Sequence, residues 1–119
     1  MPSRIVATVF DCRDAEALAA FWCAALDMTV LRRWRDAHGA EYVEVGAQDT
    51  PMLLFQPVSD RKTAKNGMHL DIRAIGPQYG EVARLVALGA RVVADDPAHP
   101  WVVLQDPQGN EFCVLPPGH

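Results

Sequence analysis

The apolar positions of the chain keep two rhythms, and their order predicts its elements. Residues 4–12, RIVATVFDC, are β-branched and apolar enough for a buried strand. Asp14 can then cap a helix over residues 15–27, on which Leu18, Phe21, Trp22, Ala25 and Leu26 make one apolar stripe. MTVLRRWRD and AEYVEVG predict two strands joined by a turn at Ala37-His38-Gly39, and PMLLFQPV predicts another, with Pro51 at its start. The polar run SDRKTAKNG separates these from a second series. That series opens with MHLDIRA, a predicted strand. A helix over 78–88 follows, with Val82, Leu85 and Val86 inward and Gly89 to end it. RVVAD, WVVLQ and EFCVL are short strands, and DPQG between the last two has the proline and glycine of a tight hairpin turn.

Each half thus reads strand, helix, strand, strand, strand. FDCRD and AALDMTVL in the first half echo LDIRA and VALGARVV in the second. Matching Asp11 to Asp71 gives an offset of 60, and matching the helix ends gives 62. Both are even, so strand faces correspond either way. The expectation is an α+β domain over residues 1–119, with module one at 1–58, a linker at 59–66 and module two at 67–119. A helix across one face of each sheet accounts for Met68, Leu70, Ile72 and Ala74 as a core stripe. His69, Asp71 and Arg73 then face the other way. Val9, Met52 and Leu54 on the remaining faces favour a cup or an interface over bare exposure. A ferredoxin-like βαββαβ arrangement has fewer strands and leaves PMLLFQPV and EFCVL without a place.

Composition narrows the class. The chain has 119 residues, half of them hydrophobic, and a net charge of -4, which gives no support for nucleic-acid binding. Arg61, Lys62 and Lys65 form only a short basic cluster in a polar stretch, read as a solvated loop. No apolar run approaches a membrane span, and MPSRIVATVF lacks the pattern of a secretory signal. Three cysteines, Cys12, Cys23 and Cys113, argue against a disulfide framework and suit a cytoplasmic protein.

FDCRDAEALAAFWCAALDM, MHLDIRA, VARLVALGARV and WVVLQDPQGNEFCVL together resemble the glyoxalase/bleomycin-resistance/extradiol dioxygenase group, the vicinal oxygen chelate superfamily. The resemblance is closest to its small bacterial glyoxalase-like domain proteins and covers nearly the whole chain. It implies two βαβββ modules curled around a central cavity, and a homodimer. It also implies four metal-ligand positions, which fall here on Ala7, Gln56, His69 and Cys113. His69 alone matches well. Gln56 is a weak neutral ligand, Cys113 replaces an expected carboxylate, and Ala7 has no donor. Glu111, two residues from Cys113, is the nearest replacement carboxylate. Hard catalytic cations need anionic oxygens or several imidazoles, so the usual divalent metal is not expected, although a mixed His/Cys/Glu set could attract zinc.

His69 and Asp71 are read as cavity residues, with Asp71 orienting the imidazole directly or through water. Cys113 is read foremost as a small buried hydrophobe and Gln56 as a cavity hydrogen-bonder or an edge residue. Trp101 and Trp34 could wall a pocket or fill a core, whereas Trp22 belongs to the first helix's core side. The expected function is small-molecule binding, with His69, Asp71, Gln56, Cys113 and Trp101 as ligand residues and no cofactor. The alternative is a lyase or isomerase with His69 as general base or remnant metal ligand.

Overall fold

The computed structural model describes residues 2–59 and 66–118. The expected linker's basic cluster, Arg61, Lys62 and Lys65, lies outside the described residues, as does His119. The chain divides into two compact units, residues 1–62 and 63–119.

The first unit runs β1 (Thr8–Cys12), α1 (Ala15–Leu26), β2 (Thr29–Arg35), β3 (Glu41–Ala47) and β4 (Thr50–Pro57). Its four-stranded sheet has the order β1-β4-β3-β2, with β1 parallel to β4 and the other pairs antiparallel. The Asp14 carboxylate accepts the Ala17 N–H at 3.0 Å and so starts α1. Asp27 ends it in the left-handed conformation, φ 55°. Leu18, Phe21, Trp22 and Ala25 are buried, as their spacing predicts. They meet Val43, Val45, Leu53 and Phe55, buried on the face of the sheet set by the register pairs Val43–Phe55 and Val45–Leu53. Phe10 packs edge-on to Trp22 and Phe55 at centroid distances of 6.4 and 5.7 Å. Asp11, Gln56, Tyr42 and Trp34 belong by alternation to the opposite face.

The second unit repeats the plan: β5 (Leu70–Arg73), α2 (Gln78–Leu88), β6 (Arg91–Ala94), β7 (Val102–Gln105) and β8 (Glu111–Leu115). Its sheet order is β5-β8-β7-β6, with β5 parallel to β8 and antiparallel pairing elsewhere. The predicted α+β arrangement of two βαβββ modules is therefore the observed one. Phe112, Val114, Leu104, Val102, Val82 and Leu85 form the core.

Two local expectations change. Val86 is 44% exposed, because α2 rests on its Val82–Leu85 side and leaves the next edge of the stripe at the rim. Met68 is 80% exposed, because β5 begins only at Leu70 and the strand alternation that would turn Met68 inward does not reach it. Among the described residues, no helix is long and apolar enough to cross a membrane.

Candidate functional site

The site begins with strand pairing. In the parallel β5–β8 ladder, Leu70 pairs with Phe112, Asp71 with Cys113, and Ile72 with Val114. Phe112 and Val114 point into the core below α2, at 1% and 0% exposure. Alternation therefore turns Cys113 to the other face, in one row with Asp71 on one side and Val103 of β7 on the other. His69 precedes β5 by one residue and closes on that row.

His69 Nε2 lies 3.1 Å from Asp71 Oδ1. The water bridge allowed for in the strand spacing is thus unnecessary: His69 stands outside the regular ladder, and its ring reaches the carboxylate directly. One donor atom each from His69, Asp71 and Cys113 fall within 4.8 Å of one another. The His69 and Asp71 side chains are about half exposed (48% and 54%), while Cys113 is buried. Imidazole, carboxylate and sulfur thus converge at a place that solvent reaches from the His–Asp side. Such a group can hold a proton, anchor a polar ligand or ligate a cation.

The other predicted site residues lie elsewhere in their own units. Gln56 pairs with Asp11 across β1–β4, and its backbone carbonyl accepts from Cys12 Sγ at 3.7 Å. Glu111 pairs with Gln105 at the start of β8 and is not part of the convergent group. Trp101 lies just before β7 and stacks on His99, with centroids 4.6 Å apart and planes 6° from parallel. Its flat face is engaged by an imidazole of the preceding loop.

Asp71, already expected beside His69, is set level with Cys113 by the register of β5 and β8. Two features escape a strand-by-strand reading of the sequence. Asp106 is a buried carboxylate that accepts the N–H groups of Gln108 and Asn110 at 2.9 and 3.0 Å, fastening the predicted DPQG turn. On the first unit, Trp34 stacks on Tyr42 at 5.4 Å, with the Arg32 guanidinium 4.2 Å from its ring centre. The Tyr42 hydroxyl donates to Asp36, which is held below the usual carboxylate range chiefly by the backbone N–H groups of Ala40 and His38. A shallow depression of about 490 Å³ lined by Leu31, Arg32, Glu44, Asp49 and Pro51 lies beside this cluster and contains none of the predicted site residues.

The divalent cation implied by the resemblance meets a poor donor set. Manganese and magnesium favour oxygen-rich, near-octahedral surroundings. His69, Asp71 and Cys113 offer one oxygen ligand group, one nitrogen and one sulfur. The trio does not fit a hard cation.

Residues 7–115 match the family described as the glyoxalase-like domain. No curated protein matches the sequence. Among solved structures, the fold is similar to that of the manganese(II) and 1S,2S-dihydroxypropylphosphonic acid complex of the fosfomycin resistance protein FosX from Listeria monocytogenes. The TM-score is 0.74 at 12% identity, over 97% of this chain and 93% of that one. The trypanothione-dependent glyoxalase I of Leishmania major gives 0.69 at 18% identity, over 97% and 87%. A glyoxalase/bleomycin resistance protein/dioxygenase family enzyme from Burkholderia phytofirmans PsJN gives 0.68 at 17%, over 93% and 96%. At these identities the likeness is one of fold.

Proposed function

Because the chain belongs to the glyoxalase-like domain family, we propose that it binds a small organic molecule, aromatic or drug-like, on the sheet face that carries His69, Asp71 and Cys113. The observation that carries this reading is the convergence of those three donors on the side of β5–β8 turned away from α2. Val103 and Leu115, on the same face by alternation, supply apolar surface beside them. A few polar anchors on an apolar floor are what a small-ligand site requires. The FosX relative holds a small organic acid together with manganese(II). In the present protein the ligand is held without that hard cation, for which the donors are unsuited.

A second reading is favoured by the 3.1 Å contact of His69 with Asp71. In a lyase or isomerase, the imidazole would take a proton from carbon while the carboxylate holds the ring. Binding is preferred because it asks nothing further of the site.

Thermal denaturation of chelator-treated protein against aromatic antibiotics and small organic acids tests the proposal. A ligand at a hundred times its dissociation constant should raise the midpoint by on the order of 10 °C. His69→Ala and Asp71→Asn should remove most of that rise. A panel that shifts nothing, or a shift untouched by both substitutions, counts against the site.

A further inference from the structure

We infer that the ligand of the second unit is an aromatic carboxylic acid, with Arg73 taking its carboxylate and Trp101 walling its ring. The inference rests on the binding face proposed above and names the class of molecule that fits it. Strand register lays that face out in rows. Asp71, Cys113 and Val103 form one row, and Arg73 pairs with Leu115 in the next. Val102 pairs with Val114, so Trp101, one residue before β7, stands level with Leu115 at the far end of the second row. Along β5 the face carries His69, Asp71 and Arg73, while Leu115, Val103 and Trp101 make the strands beside it largely apolar.

Arg73 is the group with charge to spare. Arg32, Arg33, Arg35 and Arg84 each meet a carboxylate within 3.6 Å. Arg73 is exposed, and among the described residues its hydrogen bond is to the Pro116 carbonyl, 3.1 Å from Nη1. That bond holds the guanidinium beside the end of β8 and leaves most of its five N–H donors open. Asp71, two residues back on the same face, is already engaged by His69 at 3.1 Å. A planar fork with open donors matches a carboxylate through two parallel hydrogen bonds. Trp101 is fixed from behind. Its ring stacks on His99, and Gln78 Nε2 donates to the Pro100 and Val114 carbonyls at 2.7 and 2.9 Å, tying the approach of β7 to β8. Trp101 is still 36% exposed. Adjacent strands lie about 4.8 Å apart, so roughly 10 Å of sheet separates Trp101 from Arg73, with Leu115 between them. A ring over Leu115 with one acid group at its end spans that row, whereas a neutral ligand leaves the guanidinium unanswered.

The full chain is titrated at pH 7 with benzoate, 1-naphthoate and the two corresponding carboxamides, followed by calorimetry and tryptophan fluorescence. The acids should bind at least ~10-fold more tightly than the amides. Arg73→Gln should abolish that preference while leaving amide affinity within ~2-fold, and Arg73→Lys should restore only part of it. Trp101→Leu should weaken acid and amide alike and remove the fluorescence response. Circular dichroism of each unliganded variant separates ligand loss from unfolding. Equal affinity for acid and amide, or an acid preference that survives Arg73→Gln, overturns the inference. If acid and amide bind equally and His69→Ala and Asp71→Asn abolish both, the acid class falls and the binding face stands. No binding of any of the four compounds at millimolar concentration also overturns the acid class. An acid preference lost in Arg73→Gln but untouched by His69→Ala and Asp71→Asn supports this inference and removes those two residues as anchors.

Discussion

Asp106 and Asn110 are the buried polar side chains among the described residues, and each meets the other. The Asn110 amide donates to both Asp106 carboxylate oxygens, at 3.1 and 3.0 Å, while Asn110 Oδ1 accepts from the Asn66 amide at 3.1 Å. A buried carboxylate survives because several N–H groups solvate it in place of water. Truncation would strand those donors rather than merely remove a bond. Asp106→Ala should therefore cost about 3 kcal/mol, read as a lower urea midpoint at unchanged slope. Asp106→Asn keeps the shape but turns one acceptor into a donor facing the Asn110 amide, so it should lose a large part of the same amount. A substitution to alanine that left the midpoint in place would show that water reaches the turn. Asp71 teaches the same lesson about the site: its meaning lies in its neighbour across the ladder, which chain order does not state.

The elements were legible to the extent that local chemistry decides them. Asp14 and the Leu18–Trp22 stripe specify α1, Gly89 with φ 124° stops α2, and Gly109 with φ 87° closes the DPQG turn. Elements whose form depends on a neighbour were less legible. Val86 fits the apolar period of α2 yet is exposed, because the tilt of the helix on its sheet is a property of packing. His69 fits a strand yet precedes it, because the ladder with β8 begins at Leu70. The strands β3 and β4 are each expected from the sequence, whereas the tight hairpin turn between them is not. Gln48 and Asp49 turn the chain with φ of 53° and 63°, the positive values of a two-residue hairpin loop. A Cβ on Gly46 would overlap the Thr50 carbonyl oxygen and come within 2.8 Å of its carbon. The obstacle is backbone, so it cannot rotate aside. Gly46→Ala should destabilise by about 2–3 kcal/mol, while Gly67→Ala, where nothing lies within 4 Å of the added carbon, should be close to neutral. Equal thermal midpoints for the two variants would contradict the clash.

Across the whole molecule the same βαβββ plan occurs twice, and in each sheet a parallel outer pair precedes two antiparallel ones. The Asp11–Gln56 pair of the first ladder corresponds to the Asp71–Cys113 pair of the second, so the repeat keeps equivalent residues on the face away from each helix although the last strands are offset by 57 and the first by 60. The ion pairs on the helices have a consequence of their own, measurable as stability against pH. Glu16 is held below the ordinary glutamate value of 4.5 by a hydrogen bond from Arg33, and Glu81 by one from Arg84. Asp36 is held below 3.8 mainly by the backbone N–H of Ala40. Each carboxyl is thus more acidic folded than unfolded. Its contribution is fully present above the unfolded value and disappears as the pH falls through the lower folded value. Glu16 is exposed and Asp36 and Glu81 are half-buried, so solvent screening keeps the individual effects small and the test a collective one. Between pH 7 and 5 the urea midpoint should be nearly flat with respect to these groups, and below about pH 4.5 it should decline. The triple variant Glu16→Gln, Asp36→Asn, Glu81→Gln should start lower at pH 7 and decline less steeply, so that the two curves converge in acid. Parallel curves down to pH 2.5 would mean that other carboxylates carry the acid sensitivity.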